Sequence, residues 1–182
     1  MSYRNASSSA PHSHFPIVCI AQEYLKTPST HSIARPLLLK ALAMAPNDII
    51  AINELAVLSY YCHDYNKSIQ LFDRVLKILM SESDSLTVRS HSPQIATCYS
   101  NAAHCFRKLK QYQQAIQYYT TALKYTPNKQ HAPLLSALGF TKHLEGQLND
   151  AIDFYHRSLT IQSDDSITHQ LLHKALAEAA QI

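Results

Sequence analysis

The sequence predicts an all-α protein, a right-handed α-solenoid of about four helix-turn-helix repeats followed by a C-terminal capping helix. Three observations lead there. Only 2 of the 182 residues are glycine, which leaves few of the tight turns that β-hairpins need. Apolar residues recur at the three- and four-residue spacing of amphipathic helices. One arrangement of small and large side chains also returns four times along the chain.

The elements follow one another in a simple order. Residues 1–14 are polar, rich in Ser and His and without a period, which predicts a disordered lead-in. The array then runs over 15–165, and the polar stretch 83–95 is an insertion within it. The segment 166–182 has strong helix formers and one apolar stripe, which predicts a capping helix with Ser166 as its N-cap. The four repeats are predicted at 15–48, 49–82, 96–129 and 132–165.

The second helix of each repeat carries the same pattern. A small residue is followed four positions later by an aromatic residue or Leu, and three positions after that by a residue no larger than Val. Small residues let two helices approach closely, and the large side chain fills the space toward the next pair. The first two copies are 34 residues apart, the next two 47 because of the insertion, and the last two 36. This small–large–small pattern at a period near 34 is the tetratricopeptide signature. The pattern consists of Ala34, Leu38 and Ala41; Ser68, Phe72 and Val75; Ala115, Tyr119 and Ala122; and Ala151, Tyr155 and Ser158.

Charge and hydropathy exclude two classes of partner. Sixteen Lys and Arg against thirteen Asp and Glu give a net charge of +3, too small an excess for a dedicated nucleic-acid binder. No apolar run approaches the roughly 18 residues of a membrane-spanning helix. The first fourteen residues also lack the apolar centre of a secretory signal. We therefore predict an intracellular protein that binds neither nucleic acid nor membrane.

No pattern in the sequence indicates catalysis. The scarcity of glycine excludes phosphate-binding loops and the dinucleotide fingerprint. His169 and His173 are four residues apart on one helix, but no third metal ligand accompanies them. His104 stands beside Cys105, and neighbours on a helix do not face one another. We predict no catalytic residue, no cofactor and no metal.

The candidate site is the face formed by the first helix of each repeat, which lines the concave groove of such a solenoid. Amide, hydroxyl, imidazole and guanidinium groups beside aromatic rings suit an extended peptide, whose backbone needs polar partners and whose side chains need apolar surface. A mixed polar face is also what any repeat of this kind presents. The predicted groove residues are Asn53, Val57, Tyr60, Ser100, Asn101, His104, Arg107, Ser136, Phe140 and His143.

One tight basic cluster, Arg107, Lys108 and Lys110, lies at the end of a first helix. It could contact an acidic segment of a partner. It could equally provide the solvated positive charge that stabilises the C-terminal end of a helix. The sequence leaves both interpretations open.

Four strings occur in a specific order: HFPIVCIAQEYLKTPSTHSIARPLLLKALAMAPND, NELAV, FRKLKQYQQAIQYY and LLHKALAE. In this order they resemble the C-terminal repeats of the Cut-nine type, or sixth, subunit family of the anaphase-promoting complex. The resemblance implies a non-catalytic scaffold in a ubiquitin ligase of the cell cycle, in the nucleus or cytoplasm. It also implies other subunits as partners, including a small one held as an extended peptide in the groove. Family members dimerise through N-terminal repeats, which have no counterpart here.

The alternative is a generic tetratricopeptide adaptor or co-chaperone-like peptide-binding module. Co-chaperone repeats hold a C-terminal carboxylate with Lys or Arg on the groove face of the next repeat. Those places are occupied here by Pro133 and Ala137, which disfavours that version of the adaptor.

Overall fold

The computed structural model describes residues 13–81 and 91–181, and all regular secondary structure in these ranges is helical. The predicted all-α class is confirmed. None of the described helices is both long and apolar enough to cross a membrane. Short 3-10 turns at Pro28–Thr30 and Pro127–Lys129 precede α2 and α7. The described α-helices are α1 (Phe15–Leu25), α2 (His31–Met44), α3 (Ile49–Tyr61), α4 (Tyr65–Ser81), α5 (Ser92–Lys108), α6 (Tyr112–Lys124), α7 (Ala132–Leu144), α8 (Leu148–Ile161) and α9 (Ser166–Ala179).

The chain divides into two compact units, and the described part of the first contains α1 to α4. In this unit α1 packs on α2 and α3 packs on α4, with further contact between α2 and α3. Its core is apolar and made largely of small residues between larger ones. The core cluster consists of Ile17, Val18, Ala21, Ala34, Leu38, Ala41, Ala51, Leu55 and Leu58.

The second unit contains α5 to α9. Each of these helices packs on the next one in the chain. One core cluster joins α5, α6 and α7 around Tyr119, which is fully buried. A second cluster joins α8 and α9 around Tyr155, which is equally buried.

The repeated packing positions predicted from the sequence are confirmed. All twelve side chains of the small–large–small pattern, in α2, α4, α6 and α8, are 0–1% exposed. Two of them are serines, and burial of an unpaired hydroxyl would be costly. The Ser68 hydroxyl donates to the carbonyl of Ala56, and the Ser158 hydroxyl donates to the carbonyl of Ala132, both at 2.8 Å. Each serine thereby ties its helix to the preceding one.

Helix N-termini differ from the sequence-based expectation at two places. The N-cap of α9 is Asp165, whose carboxylate accepts from the backbone N–H groups of Ile167 and Thr168, so the prediction of Ser166 as cap was wrong. Helix α5 begins at Ser92, four residues before the predicted start of the third repeat. Pro93 suits this first turn because its missing N–H needs no partner there.

Parts of four predicted segments lie outside the described residues: 1–12 of the lead-in, residue 82 of the second repeat, 83–90 of the insertion and residue 182 of the cap. At the end of the predicted lead-in, His14 is the N-cap residue of α1. Its Nε2 atom lies 2.8 Å from a carboxylate oxygen of Asp48, the N-cap residue of α3. This contact joins the start of α1 to the start of α3.

Gly139 marks a close approach of α7 to α8. A Cβ atom at this position would lie 2.8 Å from two ring carbons of Tyr155 and 3.1 Å from the carbonyl oxygen of Ala151. The preceding repeat has Ala103 at the corresponding place of its first helix, so the glycine reflects local crowding by the Tyr155 ring.

We expect Gly139→Ala to destabilise the protein. Overpacking of a core costs about 1–3 kcal/mol, and the better helix propensity of alanine returns only about 1 kcal/mol. Guanidinium unfolding followed by circular dichroism measures the difference. Adding Tyr155→Leu should relieve the clash, so the two changes should cost less together than their sum. A Gly139→Ala protein as stable as wild type would contradict the packing described above.

Candidate groove on the first helices

The predicted groove residues occupy three recurring positions on the first helices of the second, third and fourth repeats. These positions lie three residues before, one residue after and four residues after the small residue of each helix, which is Ala56, Ala103 or Gly139. Asn101 is the single addition. All ten residues are partly exposed, although the side chain of His143 is only 8% exposed. This is the burial expected of residues that line a surface.

In the second unit, a cavity of about 320 Å³ opens between α5, α7 and the connection from α6 to α7. We call the surface formed by this cavity and the exposed faces of α5 and α7 the α5–α7 groove. Two predicted residues, Ser100 and Asn101, line the cavity. Neither side chain has a hydrogen-bond partner within the described chain, so both are available to a bound segment. The complete lining is Pro93, Ala96, Thr97, Ser100, Asn101, Tyr125, Thr126, Pro127, His131 and Leu134.

Most of this lining escaped the sequence analysis. Tyr125, Thr126 and His131 belong to the ends of helices and the turn between them, outside the helical positions that the repeat pattern identifies. On α5, Thr97 could have been found. It lies four residues after Pro93 and four before Asn101, so it shares their face of the helix.

Further along α5, His104 is held by two donors. The hydroxyl of Tyr119 donates to His104 Nδ1 at 2.5 Å, and the Arg107 guanidinium donates to the same atom at 3.3 Å. Because Nδ1 accepts, the ring proton of the neutral imidazole resides on Nε2. Burial, together with the positive charges of Arg107 and Lys108, lowers the pKa of His104 to about 4. His104 is therefore neutral at pH 7.

Arg107 bridges α5 and α7. Its guanidinium carbon lies 5.0 Å from the centroid of the Phe140 ring, within the range of a cation–π contact. Phe140 also packs against the core cluster of α8 and α9. Phe140, one of the predicted groove residues, thus already contacts both Arg107 and the α8–α9 cluster within this chain.

The remaining groove residues on α7 are paired with α9. The Ser136 and Thr168 hydroxyls are 2.7 Å apart, and His143 Nε2 lies 2.9 Å from a carboxylate oxygen of Glu178. The hydrogen bond from His143 holds the pKa of Glu178 below its usual range. Burial and the nearby Glu178 charge raise the pKa of Tyr155, whose hydroxyl lies 3.5 Å from His143 Nδ1. These contacts fasten the capping helix α9 to α7.

In the first unit, Asn53, Val57 and Tyr60 lie on α3. The Tyr60 ring contacts the rings of Tyr61 and Tyr65, with centroids 5.8 and 5.5 Å away. The sequence analysis missed a polar contact on this helix, a 3.0 Å hydrogen bond from the Gln22 amide to Glu54. It pairs α1 with α3.

Within 13–81 and 91–181, no cluster of three or more His, Cys, Asp or Glu side chains could hold a metal ion. His169, one of the two histidines spaced for a metal, instead lies with Nε2 2.9 Å from the carbonyl oxygen of Ser163.

Comparisons with known proteins agree with the repeated helix pairs described above. Two family models, both described as tetratricopeptide repeat, match residues 48–128 and 135–165, together more than half of the chain. Anaphase-promoting complex subunit 6 of Arabidopsis thaliana is 32% identical, over 98% of this chain and 31% of that protein. The protein of the same name from Dictyostelium discoideum is 30% identical, over 96% of this chain and 26% of that protein. The resemblance predicted from the ordered strings is confirmed.

The fold is shared with a solved structure. The crystal structure of the APC/C hetero-tetramer Cut9-Hcn1 superimposes with a TM-score of 0.82 and 24% sequence identity, covering 96% of this chain and 32% of that chain. At this identity the likeness shows the fold alone. The chain spans about a quarter to a third of the length of the curated relatives it matches.

Proposed function

This chain belongs to the tetratricopeptide-repeat family and is homologous to subunit 6 of the anaphase-promoting complex, and on that premise we propose that it is a non-catalytic scaffold subunit of this complex. In this role it serves cell-cycle control and ubiquitin conjugation by holding other subunits in place, without a reaction of its own. Its location is then the nucleus or cytoplasm, where such a complex acts.

Among its partners, we propose a small subunit bound as an extended segment in the α5–α7 groove. The observation that carries this proposal is the cavity of about 320 Å³ beside Ser100 and Asn101. Its size is at the lower end of known ligand pockets, about 300–1,000 Å³, and suits one or two side chains. An amide can both donate to and accept from an extended backbone. Asn101 would thus hold the main chain while the cavity takes an adjacent apolar side chain.

Co-purification distinguishes this role from that of a generic adaptor. The tagged chain, expressed in the cells from which it derives, should recover subunits of the anaphase-promoting complex, identified by mass spectrometry. Recovery of chaperones or trafficking proteins in their place would favour the adaptor.

The groove is tested by the double variant Ser100→Ala with Asn101→Ala. Loss of polar anchors in a desolvated groove costs about 1–3 kcal/mol, so we expect roughly ten- to a hundredfold weaker capture of the small subunit. Both residues are partly exposed and unpaired within the described chain, so the thermal melt should hardly change. Phe140 is unsuitable for this test because its ring supports the α8–α9 core.

The matched control is Gln114→Ala with Gln117→Ala, two exposed polar residues on α6. The control should capture the small subunit as wild type does. Equal capture by both double variants would place the binding surface elsewhere on the molecule.

A further inference from the structure

Arg107 is a partly buried cation that lacks an anionic partner. No carboxylate of the described residues forms an ion pair with it, although five other pairs are present in the same ranges. Its Nε atom is buried and has no hydrogen-bond acceptor. The one acceptor that it does contact, His104 Nδ1, is uncharged at pH 7 and already receives the Tyr119 hydroxyl.

The fourth repeat has a carboxylate partner at the position where Arg107 of the third repeat has none. His143 occupies the same position of α7 that Arg107 occupies on α5, and it contacts a carboxylate, Glu178, from the following first helix, α9. Buried residues of α7 recur on α9 34 positions later, as Leu138 and Leu172 show. By the same spacing, the α7 residue equivalent to Glu178 is Leu144. Leu144 is apolar and 42% exposed. The fold therefore supplies a carboxylate to His143 and none to Arg107.

The setting suits a carboxylate rather than a more highly charged anion. A single guanidinium carries one positive charge and presents a planar edge that matches a carboxylate. One of its faces lies over the Phe140 ring, which restricts the orientation of the guanidinium. Lys108 and Lys110, the other members of the basic cluster, are exposed. They add positive potential around the site without closing it.

We propose that the Arg107 guanidinium binds an Asp or Glu side chain of the segment held in the α5–α7 groove. This inference rests on the proposed function and adds to it a chemical requirement on the partner. An acidic residue lies beside the part of the segment that Ser100 and Asn101 hold, and it takes the place that Glu178 takes beside His143. Within the basic cluster, Arg107 then binds the partner, while Lys108 and Lys110 remain solvated.

The test uses random twelve-residue peptides displayed on phage and selected on the purified full chain. Peptides whose binding requires Ser100 and Asn101 should share an Asp or Glu at a fixed position. Changing that residue to Asn or Gln in a synthetic peptide should weaken binding about ten- to a hundredfold, as expected for loss of a charge-assisted hydrogen bond. This measurement leaves the protein unaltered, so it does not depend on a variant folding.

Arg107→Gln should weaken binding of the acidic peptide by a similar factor and should remove most of the difference between it and its Asn or Gln version. Arg157→Gln is the matched control. Arg157 also lies over an aromatic ring, 5.1 Å from the centroid of Phe154, but it is exposed on α8. It should leave binding unchanged.

Groove-dependent peptides without a common acidic residue, or an unchanged affinity in Arg107→Gln, would overturn this inference and leave the proposed groove intact. If no selected peptide depends on Ser100 and Asn101, the peptide-binding groove itself is wrong and the inference falls with it. The two failures are therefore distinguishable.

Discussion

Replacement of Tyr119 by alanine is expected to lower the free energy of unfolding by about 3–5 kcal/mol, the loss typical of removing a buried aromatic ring. Tyr119 is fully buried at the centre of the α5–α6–α7 cluster, between Ala103 and Ala115 and the leucines of α7. Ala103 and Ala115 are too small to refill the space that the ring would leave. Chemical unfolding followed by far-ultraviolet circular dichroism measures the change.

Two controls separate the contributions. Tyr119→Phe keeps the ring and removes only the hydroxyl that donates to His104, so it should cost about 0.5–1.5 kcal/mol. Tyr61→Ala makes the same truncation on a side chain that is 58% exposed, and its effect should stay within about 1 kcal/mol. If Tyr119→Ala and Tyr61→Ala unfold at the same denaturant concentration, Tyr119 does not fill the core as described.

The packing pattern could be predicted because it is local and repeated. A small residue followed by a large one four positions later defines which face of a helix is buried, whatever lies beyond the next pair. Even the weakest copy, with Leu38 in place of an aromatic ring, is buried at the same position. Four partial copies together fix a register that one copy would leave ambiguous.

Helix starts were harder to predict because neighbouring residues compete for the same role. Asp165 and Ser166 can both cap a helix, and the sequence does not say which of them adopts the extended backbone of an N-cap. In the structure Asp165 does so, and its second carboxylate oxygen also accepts from the Thr168 hydroxyl at 2.6 Å. Thr168 lies one turn later and is fully buried, so this bond also satisfies a buried hydroxyl.

The sequence predicted which residues lie on the partly exposed face of the first helices. It did not predict which side chains those residues would contact. Partners of Ser136 and His143 come from α9, 32 and 35 residues further along the chain. Helical periodicity says which residues share a face, but it carries no information about which side chains meet across two repeats. The cavity escaped for the same reason, since four of its ten lining residues come from the connection between α6 and α7.

The register itself is tested by Ala115→Leu. Ala115 is fully buried in the α5–α6–α7 cluster, and a leucine there adds three heavy atoms to a closely packed helix pair. Overpacking of this kind costs about 1–3 kcal/mol. For a chain of this size, each kcal/mol lowers the melting temperature by about 2–4 °C, which a thermal melt resolves.

The matched control is Gln114→Leu, the same new side chain one position earlier and exposed on α6. A surface change of this kind stays within about 0.5 kcal/mol, so its melt should overlay that of wild type. The two variants have the same added residue on the same helix and differ only in the face that it occupies. Identical melting temperatures would mean that Ala115 does not face α5, and the assignment of every small residue in the repeat pattern would then shift by one position.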